Sequence, residues 1–446
     1  MCAPRMRPEK QPDAARTGRR LLRAVVALVC LLAAVSVGGC RDAREIENVG
    51  FVLGLGIDET PDGRIQVWAQ VALPSAKPAE AEKQESWTIT STGDTVWDAV
   101  RQLNNRSAKV LFRAHVRALV FGERFARGGV ARALDVLARD GQFRYKSWVF
   151  VTSDPVGDVL GAESNQSSSA AFFIDDLMRN TARSSTAPRS RFLELLTSIE
   201  QPGDQPLLAR ISLATAEDGG SQPEGEERIA EAGRGQGAGG PEGPQGAAGT
   251  PETEPKELRV EGSAALCGDK MVGWLDAEET AMALLVCNRL PAYSFVMSIP
   301  GGEGGTMGFE MIRSHADTLF PKGIHTRDAA RPVTDVVIRI TGTVDIREVL
   351  SREQLMSMRS IERLEAEISR HLETGVSRLV EAAQNRLGCD IMGIGECVRR
   401  RVPARVWEED VAPTWHDKFR AIVIVPDVHF EVGKRGMTMQ SPRPVD

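Results

Sequence analysis

The sequence predicts an α+β protein with mixed, largely antiparallel sheets flanked by helices, in two or three domains joined by a disordered linker. Period-two apolar alternation between turn residues indicates hairpins, and apolar residues at i, i+3 and i+4 indicate helices between them. A Gly/Pro-rich stretch at 216–256 separates two segments of this kind. At roughly 150 residues per domain, a chain of 446 residues is long enough for two or three domains.

Composition and charge exclude several classes of protein. The chain has 55 Lys+Arg against 61 Asp+Glu, a net charge of −6, 42% hydrophobic residues and 5% aromatic residues. This balance excludes a polytopic membrane protein, a collagen-like fibre, a disulfide scaffold and a fully disordered chain. Because no basic excess is available to neutralise phosphates, we expect no nucleic-acid partner.

The segment 1–39 is typical of a bacterial lipoprotein signal peptide. Four arginines between positions 16 and 23 precede a 14-residue apolar run, Ala24–Val37. A membrane-spanning helix needs about 20 apolar residues, so this run fits a signal-peptide core. The sequence Val37-Gly38-Gly39-Cys40 resembles a lipobox, in which the cysteine takes a diacylglyceryl group before cleavage. We therefore predict lipidation at Cys40 and place the chain beyond it outside the cytoplasmic membrane; the alternative is an uncleaved anchor with an incidental cysteine.

Four cysteines follow the lipobox, namely Cys267, Cys287, Cys389 and Cys397. None belongs to a C-x-x-C pair and no histidine stands at zinc-finger spacing, so no metal site is predicted. A Cys389–Cys397 disulfide is one alternative outside the cytoplasm, but buried thiols that pack as small hydrophobes are favoured. The disulfide state of all four stays open.

The composition changes abruptly at 216–256. These 41 residues include 11 Gly and 5 Pro and almost no large apolar side chain. They cannot bury enough apolar surface to offset the entropy of ordering them, so we expect a disordered acidic linker. The predicted organisation is a signal peptide at 1–39, an N-terminal domain at 40–215 with room to subdivide, the linker, and a C-terminal domain at 257–440.

Hairpins and helices are predicted to alternate in the N-terminal domain. The strands show period-two alternation or short apolar runs. They are Gly50–Asp58, Arg64–Val71, Trp87–Ser91, Val116–Phe121 and Ser147–Thr152. Asp94 is predicted to cap a helix whose apolar face includes Trp97. A helix over Glu123–Arg139 and looser helices at 155–179 and 190–200 complete the domain.

The C-terminal domain repeats this pattern and adds one long helix. Its strands are predicted at Leu258–Leu266, Met271–Leu275, Tyr293–Ile299, Met307–His315, Val333–Ile346 and Ala421–Val432. Helices are predicted over Asp276–Cys287 and 352–387. Ser351 and Gln354 form a capping-box pair at the start of the second helix, and Gly388 ends it. Its single apolar stripe is expected to pack on the domain's own sheet rather than to form a coiled coil.

No pattern of catalytic residues stands out. The chain has six histidines and no metalloprotease, nucleophile-elbow or Walker A motif. Two Gly-x-Gly pairs, at 54–56 and 393–395, lack the third glycine of a dinucleotide loop, so turns or close packing explain them better. Adjacent carboxylates diverge by about 100° on a helix and do not form an acid–base pair; they occur at 175–176, 278–279 and 408–409. We expect no enzyme activity and no cofactor, and His115 and His416 are expected to be structural or surface residues.

The residues in this order resemble the Ger(x)C family, the C-subunit lipoproteins of spore germinant receptors. The resemblance covers nearly all of the chain after Cys40 and rests on a series of blocks. They are Leu55-Gly56-Ile57-Asp58 before the Asp62-Gly63 turn, Ser91–Val100, His115 with Arg139-Asp140, Gly268–Asp276 with Glu278-Glu279-Thr280, Asp390–Glu396, Pro403, Trp407, Trp415 and Phe419. Two features depart from the pattern: the insert at 216–256 is longer than usual, and Cys389 stands where a small or polar residue is common.

The resemblance implies a receptor component rather than an enzyme. Such receptors combine an A subunit, a polytopic B subunit similar to amino-acid transporters, and a lipid-anchored C subunit on the outer face of the spore inner membrane. The expected function is a non-catalytic role in spore germination, through assembly or signalling with the A and B subunits. The alternatives are a solute-binding lipoprotein of a transport system and a lipid-anchored cell-wall hydrolase. The germinant, and whether this subunit binds a small molecule itself, stay open.

Overall fold

The computed structural model describes most of the chain after the leader. The described residues are 22–29, 48–72, 86–162, 169–180, 186–201, 203, 205–214, 257–299, 305–324, 333–350 and 358–433. The chain divides into two compact units, Met1–Val49 and Gly50–Asp446. In the first unit, residues 22–29 form a helix, α1, whose side chains are exposed. The predicted lipobox, linker and capping box at Ser351 lie outside the described residues.

A nine-stranded sheet organises the first part of the second unit. Its strands are β1 (Val49–Glu59), β2 (Ile65–Ala72), β3 (Ser86–Gly93), β4 (Val110–Phe112), β5 (Ala118–Gly122), β6 (Trp148–Thr152), β7 (Leu207–Ala214), β8 (Glu257–Cys267) and β9 (Lys270–Leu275). The order is β3-β2-β1-β5-β6-β7-β8-β9, with β4 paired to β1. Its middle is parallel, from β1 through β5 and β6 to β7. Both ends are antiparallel, so the sheet is mixed, as the sequence predicts.

Helices cover both faces of this sheet. They are α2 (Val96–Arg106), α3 (Glu123–Gly128), α4 (Ala131–Arg139), α5 (Val156–Gly161), α6 (Ala170–Asn180) and α7 (Phe192–Glu200). The buried strand β5 contacts helices on both faces of the sheet, because its side chains alternate between the two faces. Leu119 and Phe121 pack with α2, α3, α4 and α7, whereas Val120 packs with α5 and α6.

Close packing explains the first Gly-x-Gly pair. A Cβ atom on Gly54 would lie 2.9 Å from Cδ2 of Leu160, and one on Gly56 would overlap Val156. Both glycines lie in β1, where α5 packs directly on the strand. The expectation of close packing rather than a nucleotide loop is confirmed.

A second, four-stranded sheet carries the long helix. Its strands are β10 (Tyr293–Ile299), β11 (Gly305–Leu319), β12 (Asp335–Leu350) and β13 (Val423–Val432), in that order. The helices of this region are α8 (Ala277–Val286), α9 (Met358–Glu381), α10 (Ile394–Arg399), α11 (Ala404–Val406) and α12 (Trp415–Ala421). From β10 to β12 the pairing is antiparallel, and β12 pairs in parallel with β13.

The apolar stripe of α9 packs on this sheet, as predicted. Ile368, Leu372 and Val376 are buried in the same core as β11, β12 and β13. The backbone N–H of Phe430 in β13 donates to Ser369 Oγ at 3.0 Å. The helix continues as π-helical turns over Ala382–Leu387 and ends at Gly388, which has φ of +62°. This confirms the predicted end at Gly388. Glycine suits the position because it reaches this left-handed conformation without strain.

Three local predictions in the N-terminal part are wrong. Thr95, not Asp94, is the N-cap of α2, and its hydroxyl accepts from the backbone N–H of Asp98. Trp97 is 56% exposed, so it does not belong to the buried face of that helix. The single helix predicted over Glu123–Arg139 is two helices, because Gly129 has φ of +114° between α3 and α4.

The two predicted domains share one sheet. Strand β7 precedes the stretch 216–256 and β8 follows it, and they pair antiparallel from Leu207 with Ala265 to Ala214 with Glu257. The division at 40–215 and 257–440 stays a prediction about sequence organisation. In the structure, the nine-stranded sheet runs across it.

Candidate functional site

The one site residue predicted from the sequence, Cys40, lies outside the described residues. Among the helices that the structure describes, none combines the length and the apolar character needed to cross a bilayer. The other blocks singled out in the sequence lie within the second unit, where their contacts can be examined.

The Gly268–Asp276 block forms the β8–β9 hairpin, and its turn holds the start of α4. The carbonyl of Asp269 accepts from the backbone N–H of Val130 at 2.8 Å. The carboxylate of Asp269 accepts from the N–H of Ala131 at 3.4 Å. A Cβ atom on Gly129 would lie only 2.5 Å from that carboxylate. The hairpin turn therefore supplies the cap that α4 lacks in its own sequence.

The three adjacent carboxylate pairs make structural contacts rather than an acid–base site. Asp175 is buried and accepts from Arg117, Arg179 and the indole of Trp148. Glu278 and Glu279 in α8 pair with the guanidinium groups of Arg378 and Arg386, at 2.6 and 2.7 Å. Glu409 pairs with Arg405 at 3.0 Å. In each of the three adjacent pairs, at least one carboxylate therefore forms an ion pair with an arginine.

The Asp390–Glu396 block surrounds a buried carboxylate. Asp390 accepts from the backbone N–H groups of Ile394 at 3.1 Å and Gly395 at 2.5 Å. Its second oxygen also accepts from Nε1 of Trp415 at 3.0 Å. Complete burial raises the pKa of the Asp390 carboxyl, although the hydrogen bonds that it accepts oppose this shift.

This arrangement explains the second Gly-x-Gly pair. The N–H groups at the start of α10 are directed at Asp390 of the same chain, so they are not available to cradle a phosphate. A Cβ atom on Gly395 would lie 2.6 Å from Nε1 of Trp415, so only glycine admits the tryptophan. The motif is a packing junction between α10 and α12.

Asp58, the last residue of the first block, likewise joins two elements, here the end of β5 and the start of α3. Its carboxylate accepts from the backbone N–H of Phe125 at 3.2 Å and occupies the space that a Cβ atom on Gly122 would need. Desolvation by burial raises the pKa of the Asp58 carboxyl above its ordinary value of 3.8. The folded state therefore favours the protonated form.

Asp58→Asn tests this pKa shift. A carboxyl with a raised folded-state pKa contributes stability below its unfolded pKa, and this contribution is lost as the pH rises through the folded pKa. We expect the free energy of unfolding of Asp58→Asn, relative to wild type, to increase between pH 4 and pH 7. Urea unfolding at several pH values measures this difference.

Asp62→Asn is the matched control on the same hairpin. A hydrogen bond from Thr60 lowers the pKa of the exposed Asp62 carboxyl, so its contribution is present at neutral pH and is lost in acid. The two variants should therefore show opposite trends with pH. A constant difference between Asp58→Asn and wild type would contradict the assigned shift.

Three side chains that are distant in sequence converge beside Asp390. The ligand atoms of Cys267, Cys389 and His416 all lie within 4.8 Å of one another. A hydrogen bond from the Cys389 thiol, together with the neighbouring His416, lowers the pKa of Cys267 to about 5. That hydrogen bond and burial raise the pKa of Cys389. The contact with Cys267 raises the pKa of His416.

Two clefts in the described part of the chain are large enough for a small molecule. One, of about 910 Å³, lies between α9 and β11 to β13 and includes Arg313, His315 and His429. The other, of about 640 Å³, lies between α7 and α8 and includes Arg189 and Arg289. Neither contains a group that the sequence predicts to bind a ligand.

Comparison with known families identifies the family of this chain. Residues 42–213 match the family described as "Spore germination protein N-terminal domain". Residues 261–436 match the family described as "Spore germination B3/ GerAC like, C-terminal". The chain belongs to the Ger(x)C family.

Individual relatives are distant. The chain is 21% identical to "Spore germination protein KC" of Bacillus subtilis (strain 168) over 418 residues, which are 89% of this chain and 92% of that protein. It is 31% identical to "Spore germination protein B3" of the same organism over 124 residues, which are 27% of this chain and only 33% of that protein. A solved structure, "Crystal Structure of the GerBC protein", aligns with a TM-score of 0.47 and 18% identity, over 87% of this chain and 99% of that one.

Ger(x)C membership gives the chain a role in spore germination, as a member of the germinant-receptor C-subunit family. The blocks that carry the resemblance form junctions: Asp58 with Phe125, Asp269 with α4, and Asp390 with Trp415. Sequence reasoning located these residues but missed the convergence of Cys267, Cys389 and His416. No local spacing connects those three positions.

Proposed function

We propose that this chain is the lipid-anchored, non-catalytic C subunit of a nutrient germinant receptor, acting through assembly or signalling with A and B membrane subunits. One observation carries the proposal. The predicted lipobox ends at Cys40, and the match to the N-terminal germination domain begins at residue 42. A predicted acylation site therefore stands directly before the region that matches the family.

An acyl anchor at Cys40 would hold the folded body against the outer face of the spore inner membrane. Each buried methylene contributes about 0.8 kcal/mol, so two or three acyl chains give stable anchoring where one chain does not. Confinement to the membrane plane raises the effective concentration of the subunit near membrane partners without strong pairwise affinity.

The contacts of the polar groups support a non-catalytic role. Asp175, Glu278 and Glu279 are paired with arginines, and Asp390 is enclosed by N–H donors of its own chain. A general acid or base needs an ionisable group aimed at substrate. Asp175 faces Arg117 and the sheet residue Trp148, and the other three carboxylates face neighbouring helices.

The solute-binding alternative requires two lobes that close around a ligand through a hinge. The pairing of β7 with β8 argues against it, because a continuous sheet between the halves resists hinge motion. Calorimetry with candidate nutrients tests this alternative directly, and tight binding to the purified chain would favour it over the receptor-subunit proposal.

Cys40→Ala tests the proposed anchor. We expect the variant chain to lose metabolic labelling by fatty acid and to leave the membrane fraction. We expect nutrient-triggered germination to fall to the level of the deletion strain, because an unanchored subunit loses its proximity to membrane partners. The measurements are fatty-acid incorporation, fractionation and spore germination with nutrient.

Cys30→Ala is the matched control, since Cys30 lies in the apolar run of the same leader. It should leave labelling, fractionation and germination unchanged. Normal labelling and normal germination of Cys40→Ala spores would overturn the proposal, provided that no second receptor responds to the same nutrient.

A further inference from the structure

Cys267, Cys389 and His416 come from three separate elements. Cys267 ends β8, Cys389 follows the residue that ends the π-helical turns after α9, and His416 lies in the first turn of α12. Cys389 is buried, whereas Cys267 and His416 are half-buried. Cys267 and His416 thus start from strand and helix backbone, Cys389 lies in the bend just after a helix end, and the cluster faces solvent on one side.

The donor atoms have the spacing of a metal coordination sphere. Cys267 Sγ lies 3.5 Å from Nε2 and 3.6 Å from Nδ1 of His416. In a tetrahedral zinc site, with Zn–S of about 2.3 Å and Zn–N of about 2.0–2.1 Å, a sulfur and a nitrogen ligand are about 3.6 Å apart. Both ring nitrogens of His416 lie at this distance, so either one is close enough to Cys267 Sγ to share an ion with it.

We infer that Cys267, Cys389 and His416 bind a transition-metal ion of the zinc class through two thiolates and one imidazole nitrogen. Sulfur and imidazole ligands select zinc over magnesium and calcium, which take oxygen ligands. Two thiolates balance the charge of a divalent ion. Binding requires both thiols to be deprotonated and the imidazole to be neutral, so uptake of the metal releases the protons that these groups carry.

The surroundings of the cluster favour deprotonated sulfur. The guanidinium of Arg420 packs against Gly388, the residue before Cys389, and places a positive charge beside the cluster. Among the described residues, no histidine, cysteine or carboxylate supplies a fourth ligand to the cluster. Water or an incoming donor therefore completes a tetrahedral sphere on the solvent side.

The bound ion would tie the nine-stranded sheet to the C-terminal helices. β8 belongs to that sheet, whereas α12 packs in the core of the four-stranded sheet. An ion that binds the folded state and not the unfolded state stabilises the fold by mass action. Metal uptake should therefore raise the melting temperature of the protein.

The test uses the full chain without a histidine tag, in detergent, under reducing conditions and after treatment with a chelator. Titration with Zn²⁺ should give one ion per chain and a higher melting temperature. Co²⁺ should give thiolate-to-cobalt charge-transfer absorption. Cys267→Ser and His416→Gln should each weaken Zn²⁺ binding by more than the roughly 10–100-fold that loss of an outer hydrogen-bond partner costs.

Cys397→Ser is the matched control, because Cys397 is a half-buried thiol of α10 outside the cluster. It should bind Zn²⁺ as wild type does. Equal binding by wild type, Cys267→Ser and His416→Gln would overturn the inference. A second result would also overturn the inference: Cys267 and Cys389 form a disulfide in air, and the reduced chain takes up no metal. If the variants fail to fold, the Co²⁺ spectrum of wild type decides, and the lack of thiolate charge-transfer absorption overturns it.

Discussion

Asp390→Ala is expected to lower the free energy of unfolding by about 3–5 kcal/mol, because it leaves three buried N–H donors without their acceptor. The donors are the backbone N–H groups of Ile394 and Gly395 and the indole N–H of Trp415. Each buried donor that loses its partner costs about 1–3 kcal/mol. Urea unfolding of wild type and variant at neutral pH measures the difference.

The loss should extend beyond the immediate contact. Asp390 joins the start of α10 to α12, and Trp415 packs against Trp407 with ring centroids 5.7 Å apart. Without the carboxylate, the first turn of α10 loses its cap and the indole of Trp415 loses its anchor. The fluorescence of the two tryptophans should therefore report the change in the folded state.

Two further variants separate the hydrogen bonds from the side-chain volume. Asp390→Asn keeps the shape and one oxygen acceptor, which can serve Gly395 and Trp415 while the amide nitrogen faces the N–H of Ile394. We expect an intermediate loss of about 1–3 kcal/mol. Asp176→Ala removes an exposed carboxylate of α6 and should change stability by no more than about 0.5 kcal/mol. Equal losses from Asp390→Ala and Asp176→Ala would refute the role given to Asp390.

Local sequence patterns were sufficient where structure depends on neighbouring residues. The hairpin of β8 and β9 follows from alternation around Gly268-Asp269, and the stripe of α9 follows from steps of three and four. The end of the long helix follows from Gly388 alone, because glycine reaches the left-handed conformation readily.

Patterns failed where a distant residue decides the local structure. The break at Gly129 depends on Asp269, which reaches the start of α4 from a hairpin far along the chain. The cluster of Cys267, Cys389 and His416 depends on strand order, since 122 and 27 residues separate successive members. No spacing rule detects such a group. Only the pairing of β8 within the sheet and the packing of α12 bring the three side chains together.

Gly93→Ala is expected to lower the free energy of unfolding by about 2–3 kcal/mol, because the added methyl group meets rigid backbone. A Cβ atom on Gly93 would lie 2.5 Å from the backbone nitrogen and 2.9 Å from Cα of Ala99. Ser91 holds the same turn of α2 by donating its hydroxyl to the carbonyl of Ala99 at 2.6 Å. The helix cannot move away without losing this hydrogen bond and the burial of Val96 and Leu103.

Gly161→Ala is the matched control for Gly93→Ala. Gly161 is the last residue of α5, and a Cβ atom there would meet nothing within 4 Å. Alanine reduces the entropy of the unfolded chain at such a position, so we expect a gain of about 0.4–1 kcal/mol. Opposite signs for the two variants in urea unfolding would show that close approach between β3 and α2, and not the loss of glycine itself, requires Gly93. A similar change in the free energy of unfolding of both variants would contradict this, because it would mean that β3 and α2 can move apart to accommodate the methyl group.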